Sequence, residues 1–178
     1  MTPQIALLRG INLGSKNRIG MPALRQALQD AGFDNVRTYV QSGNIVLGSE
    51  LGSGALATRC HKVIAATFSL DIPIVVRTRD EFADVVDRNP LRDVADNPKR
   101  YQVCFLSGKL TPKALETLEA AAAESERIVA IGRELYTWHP EGVARSKLWG
   151  RVASPGLGVT STSRNWTTVT KLLEMADE

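Results

Sequence analysis

Between Arg9 and Gly20 the chain reads Arg-Gly-Ile-Asn-Leu-Gly-Ser-Lys-Asn-Arg-Ile-Gly, a basic stretch punctuated by glycine. A loop of this kind can turn backbone N–H groups toward an anion at a helix N-terminus, with Lys16 or Arg18 supplying the charge. Gly14-Ser15-Lys16 lacks the spacing and order of the Walker fingerprint, so no P-loop is implied. The competing reading is a purely structural loop in which Gly10, Gly14 and Gly20 permit positive φ angles. Gln41-Ser42-Gly43-Asn44 is the second group of polar residues, and Ser, Gly and Asn are also what a tight turn requires. Ser42 as a nucleophile would need an activating base and an oxyanion hole, and no Gly-x-Ser-x-Gly elbow surrounds it. Asn12 and Asn44 both fall at predicted strand ends, where they could hydrogen-bond one ligand. The third group is Ser163-Arg164-Asn165-Trp166, at the start of the last predicted helix. Ser163 or Asn165 can cap that helix and Trp166 can anchor it. A cation there opposes the helix macrodipole unless an anion shares the site, so Arg164 is expected to be a ligand contact or an inter-domain clamp.

The elements that must position these residues follow from periodicity and turn chemistry. Ile5–Ile11 is an apolar run that predicts a buried strand, followed by a loop long enough to raise the prior for function. Met21, Leu24, Leu28 and Ala31 recur at helical spacing after Pro22, with Gly32-Phe33 as the stop. Asn35–Val40 and Asn44–Leu47 predict a hairpin, and a helix through Leu56, Cys60, Ile64 and Phe68 is expected to take Ser53 as its cap. Ile72–Val76 predicts a strand, and Thr78-Arg79-Asp80-Glu81 is a capping box opening a third helix. Leu91–Arg100 reads as a linker. The order then repeats: strand Tyr101–Leu106, a helix behind Thr111-Pro112, a hairpin of Ile128–Ile131 with Leu135–Trp138, a helix over 143–152, strand Gly158–Ser161 and helix Asn165–Met175. The fold class expected is therefore α+β, with tandem ferredoxin-like (βαββαβ) plaits, each followed by an extra helix. The domain division expected is residues 1–88, a linker at 89–100, and residues 101–178.

Composition narrows the function classes. With 43% hydrophobic and 23% charged residues in 178, the chain is ordinary for a globular protein. No apolar run approaches the ~20 residues of a membrane span, and the N-terminal residues do not resemble a signal peptide, so no membrane partner and a cytoplasmic location are expected. Cys60 and Cys104 read as buried small hydrophobes rather than a disulfide. Two histidines, His61 and His139, supply no ligand set for a transition metal, and no pattern implies a cofactor. The +3 net charge is unevenly placed: Met1–Gln29 and Gly142–Leu173 contain no acid. Together they would form a basic patch, or only a solvated face.

The residues Leu8-Arg9-Gly10-Ile11-Asn12, Thr38-Tyr39-Val40-Gln41-Ser42-Gly43-Asn44, Ser146-Lys147-Leu148 and Thr162-Ser163-Arg164-Asn165-Trp166 resemble domain-of-unknown-function family 1697 of bacteria. Thr167 stands where that family's pattern has Asn. The resemblance implies a two-plait α+β fold and supplies no activity. The function expected is binding of a phosphate-bearing or other anionic ligand at a basic pocket between the halves, lined by Arg9, Asn12, Lys16, Asn17, Ser42, Asn44 and Arg164. Alternatives are a nucleic-acid-binding protein, a small enzyme using Ser42 or Lys16, and a protein-interaction module. RNA-binding plaits stack bases on aromatic residues of the two central strands. Here those strands offer Leu7, Leu8 and Arg9 and Ile45, Val46 and Leu47, so only Tyr39 on the neighbouring strand could stack, and weak phosphate-dominated contact would remain.

Overall fold

The structure, a computed structural model, describes residues 1–178. In chain order it contains β1 (Thr2–Leu8), α1 (Met21–Asp30), β2 (Asp34–Tyr39), β3 (Asn44–Ser49), α2 (Ser53–Phe68), β4 (Ile74–Thr78) and α3 (Arg79–Arg88). These are followed by β5 (Tyr101–Leu106), α4 (Pro112–Ala121), β6 (Arg127–Ile131), β7 (Glu134–Trp138), α5 (Lys147–Val152), β8 (Ser161–Asn165) and α6 (Trp166–Asp177). The strands form two four-stranded antiparallel sheets of order β2-β3-β1-β4 and β6-β7-β5-β8. Each is the strand order of a ferredoxin-like plait, with α3 and α6 as the appended helices. The chain divides into two compact units, Met1–Asp84 with Lys171–Glu178, and Val85–Thr170. No helix is long and apolar enough to cross a membrane.

In the first unit Ala6, Leu8, Ile45, Leu47 and Val76 face α1 and α2, which contribute Leu24, Leu28, Leu56, Cys60 and Ile64 to one core. Burial pushes the Cys60 thiol up to about 12 against the opposing pull of Arg59, which keeps it an inert packing group. The alternate residues Ile5, Leu7, Val46, Val75 and Arg77 are buried as well. Helix α1 ends as its sequence dictates: Gly32 takes φ +87°, and the Phe33 N–H donates to the Leu28 carbonyl at 3.1 Å. The cap expected at Ser53 is absent. Extended Gly52 precedes the first turn, and Ser53 already lies inside α2. The capping box is present, with Thr78 N–H donating to Glu81 Oε2 at 2.9 Å and Glu81 N–H to Thr78 Oγ1 at 3.2 Å. The chain's last turn is held by two arginines. Arg37 donates to the Met175 carbonyl at 2.5 Å and to Glu178 at 2.6 Å, and Arg79 donates to Asp177 at 2.6 Å.

In the second unit Cys104, Leu106 and Leu135 of the sheet meet Leu118 of α4 and Leu148 and Val152 of α5. Val103, Phe105, Tyr136 and Arg164, on the opposite face, are buried too. Tyr101 stacks on Trp166 with ring centroids 4.8 Å apart and donates its hydroxyl to Asn89 at 2.8 Å. The Tyr136 hydroxyl donates to the Val85 carbonyl at 2.8 Å. Two boundaries differ from expectation. Helix α5 starts at Lys147 because Ser146 caps it, its hydroxyl accepting the Trp149 N–H. The last strand runs Ser161–Asn165, not Gly158–Ser161, so α6 opens at Trp166 with Asn165 Oδ1 accepting the Thr168 N–H at 3.0 Å.

Candidate functional site

The Arg9–Gly20 loop is built around the side chain of Asn12. Its Nδ2 donates to the carbonyls of Ile19 (2.9 Å) and Gln41 (2.7 Å), while its Oδ1 accepts the Ile19 N–H at 2.9 Å. Asn12 N–H donates to the Asn17 carbonyl at 3.0 Å, and Asn17 Nδ2 returns to the Gly10 carbonyl at 3.0 Å. Asn12 and Asn17 both sit in the left-handed region, at φ +54° and +49°, which asparagine tolerates better than most residues. Ile11 and Ile19 sink into the core and fix both ends. The amides are thus engaged with backbone of the loop and of the adjoining turn, and the exposed residues at the tip include Leu13, Ser15, Lys16 and Arg18. Lys16 pairs with no carboxylate, and Arg18 Nε donates to the Gly14 carbonyl at 3.2 Å. An exposed ammonium lacks the desolvation that makes a lysine nucleophilic, so Lys16 can offer charge rather than covalent chemistry.

The turn at residues 40–43 lies against this loop through the Asn12–Gln41 bond. Asn44 is fully buried, and its Nδ2 donates to the Tyr39 carbonyl at 3.0 Å and to Ser42 Oγ at 2.9 Å, which orients the serine from below. Gly43, at φ +83°, presses on β1: its carbonyl accepts the Leu8 N–H at 2.9 Å, and a Cβ there would stand 2.6 Å from Leu8 Cβ. Val40 holds φ +49°, a costly conformation for a β-branched residue, and is 51% exposed. Arg9, at the mouth of the loop, donates its N–H to the Pro73 carbonyl at 2.9 Å. Arg9, Asn12, Lys16, Asn17, Ser42 and Asn44 therefore all belong to the first unit. The loop and the turn bring them together at one end of its sheet.

Arg164 belongs to the second unit. It lies within β8 opposite Val103, only 8% exposed, and immediately precedes Asn165, the cap of α6. Its Nη1 donates to Thr162 Oγ1 at 2.7 Å and to the Ser163 carbonyl at 2.8 Å. Burial pulls the guanidinium down to about 10, partly offset by Cys104, and it stays charged at neutral pH.

The family model described as "Protein of unknown function (DUF1697)" matches residues 1–136. The chain belongs to this family. No curated protein matches it. Among solved structures, "conserved bacterial protein SP0830 from Streptococcus pneumoniae" is 22% identical over 98% of each chain, with a TM-score of 0.79. That likeness establishes a shared fold.

This DUF1697 chain also holds a buried polar cluster that its sequence does not advertise. In the second unit His139, fully buried, places Nδ1 against Glu126 Oε2 and Nε2 at 2.8 Å from Thr137 Oγ1. Ser146 Oγ donates to Glu126 Oε2 at 2.5 Å and accepts the Trp149 N–H at 3.0 Å, while Glu126 Oε1 accepts the Ala123 N–H at 3.0 Å. Burial holds the imidazole below its ordinary value against the pull of Glu126. Burial also works against the Glu126 carboxylate, but bonds from Ser146, the Ala123 N–H and His139 outweigh it and keep the group more acidic than usual. One arrangement satisfies every partner: a neutral ring donates from Nδ1 to Glu126 and accepts the Thr137 hydroxyl at Nε2. Thr137 is as buried as the ring, and the cluster ties α5 to the β6–β7 hairpin. The only local signal was Ser146 directly before a short apolar helix. Glu126 and His139 are 13 residues apart, beyond any short motif.

Proposed function

We propose that this chain is a binding protein for a phosphate-bearing or otherwise anionic ligand, with the Arg9–Gly20 loop and the adjoining Gln41–Ser42 turn as its contact surface. What carries the reading is a division of labour within the loop. Asn12 and Asn17 fix its backbone, leaving Lys16 and Arg18 outward on a stretch, Met1–Gln29, that contains no acid. A loop fixed before binding loses little conformational freedom on taking up a ligand, so modest charge contacts translate into affinity. Arg9 and Ser42 border the surface, and Asn44 orients Ser42 from below. The test is calorimetric titration with pyrophosphate and a nucleoside diphosphate, comparing the wild type with K16A/R18A. A weakening of about tenfold or more is expected from two lost charge-assisted contacts. Equal affinity in both proteins would refute it.

A second reading rests on two exposed apolar residues. Leu13 (68% exposed) and Val40 (51%) flank the Asn12–Gln41 hydrogen bond, so the surface is apolar as well as basic. That combination suits a protein segment carrying acidic and aliphatic side chains. L13S/V40S would separate the readings, because it leaves phosphate binding intact and removes binding of such a segment.

A further inference from the structure

Ser146-Lys147-Leu148 contains one residue that the packing of the second unit leaves unexplained. Ser146 caps α5 and bonds Glu126, and Leu148 is wholly buried in the core. Lys147 does neither. It lies on the wall of a groove of about 690 Å³ between α4 and α5, with Arg151 one helical turn further along the same wall. Neighbours at i and i+4 share a helix face, with Cβ atoms roughly 5–6 Å apart. Neither cation pairs with a carboxylate, and no carboxylate lines the groove. Ala120, Ala121 and Gly150 keep the floor free of bulk. The volume suits a small ligand.

The hydroxyls along the groove add chemical direction. Thr117 Oγ1 donates to the Lys113 carbonyl at 3.0 Å, and Ser154 Oγ donates to the Arg151 carbonyl at 2.8 Å. With their protons committed, the oxygens of these two lining residues keep only acceptor capacity. A ligand with several hydroxyl groups can donate to both while its phosphate engages the cations, which one inorganic phosphate ion is too small to do. The helix that carries the cations is held by the buried Glu126–His139–Ser146 cluster, and Trp149 stands edge-on to His139 with ring centroids 5.7 Å apart. The charges are therefore presented from a fixed element.

We infer that the α4–α5 groove binds a sugar phosphate, its phosphate held between Lys147 and Arg151 and its hydroxyls donating to Thr117 and Ser154. This site is separate from the loop surface of the first unit and stands or falls independently of it. The full chain is titrated with ribose 5-phosphate, AMP and inorganic phosphate, with binding followed by calorimetry and amide chemical shifts. Ribose 5-phosphate is expected to bind and to shift amides in 117–121 and 147–154. K147A/R151A should weaken it at least about tenfold, while K62A, which removes an exposed charge of the first unit, should not. G150E offers a second probe: a Cβ at Gly150 meets nothing within 4 Å, so the fold is kept and a carboxylate enters the groove, abolishing binding. AMP binding as well as ribose 5-phosphate would assign the phosphorylated sugar as the common element. Inorganic phosphate binding equally tightly would overturn the role given to the hydroxyls. No binding by the wild type, unchanged binding by K147A/R151A, or loss only in K16A/R18A would overturn the site.

Discussion

Arg77 and Arg164 occupy the same station in the two plaits. Each lies in the fourth strand of its sheet, opposite the middle of the first strand: Arg77 faces Ile5, and Arg164 faces Val103. Each donates from Nη1 to the carbonyl of the residue before it, at 3.0 Å and 2.8 Å. Each is followed at once by a helix-capping residue, Thr78 or Asn165. The neighbouring rungs match as well, with Gln4 opposite Thr78 and Gln102 opposite Asn165. The duplication thus reaches individual side chains and is not confined to element order.

Removing either guanidinium leaves buried acceptors without their donor. Arg164→Ala is expected to lower stability by about 2–4 kcal/mol, and Arg77→Ala by a similar amount. Urea unfolding of each variant checks this. A change below about 0.5 kcal/mol, the range of ordinary surface substitutions, would mean the buried charge is unimportant to folding.

Stability should fall on mild acidification. His139 has its folded pKa below the ordinary 6.5, so between the two values the unfolded chain binds more protons than the native one. The stabilisation present above 6.5 is lost as pH falls toward the depressed value. Glu126, lowered from 4.5, adds a second loss below that point. The Tm of the wild type should drop between pH 7 and 5, and His139→Gln should flatten that part of the profile while lowering the whole curve. Parallel profiles for the two proteins would exclude His139 as the source.

Ser146→Ala removes both a helix cap and a bond to Glu126. A loss of about 1–3 kcal/mol is expected, at the upper end for a cap because a buried carboxylate also loses a donor. Ser146→Thr keeps the hydroxyl and should recover most of it. Thermal denaturation of the two variants side by side gives the comparison.

Gly43→Ala should be far more harmful than Gly14→Ala. At Gly43 the added carbon would lie 2.6 Å from Leu8 Cβ and 3.0 Å from Ile11 Cδ1, whereas at Gly14 it meets nothing within 4 Å. Both residues have positive φ, so backbone strain is common to both and the clash is the difference. Losses of about 3 kcal/mol or more and about 1 kcal/mol are expected from overpacking and from strain respectively. Equilibrium unfolding resolves a gap of that size.

The features legible in the sequence are those decided within a few residues. The Thr78–Glu81 box, the Thr111 cap and the Gly32-Phe33 stop use donors and acceptors one turn apart, and each forms as its residues suggest. Cys60 falls on a helical apolar stripe and Cys104 in an apolar strand, and both are buried. Strand β8, Ser-Thr-Ser-Arg-Asn, has no apolar alternation to mark it, and its state is set by pairing with β5. For the loop, basic charge was evident in the residue types, but the reach of Asn12 to Ile19 and Gln41 depends on how distant segments pack. The Glu126–His139–Ser146 cluster was invisible for the same reason.

Single strands of RNA lie flat on the open floor of plaits that bind them. In this protein neither β-layer keeps such a floor: Leu7, Val46 and Val75 in the one and Val103, Phe105 and Tyr136 in the other are shut away from water. These side chains are not exposed for a base to stack on. The two layers therefore lack the exposed aromatic platform on which such plaits stack bases.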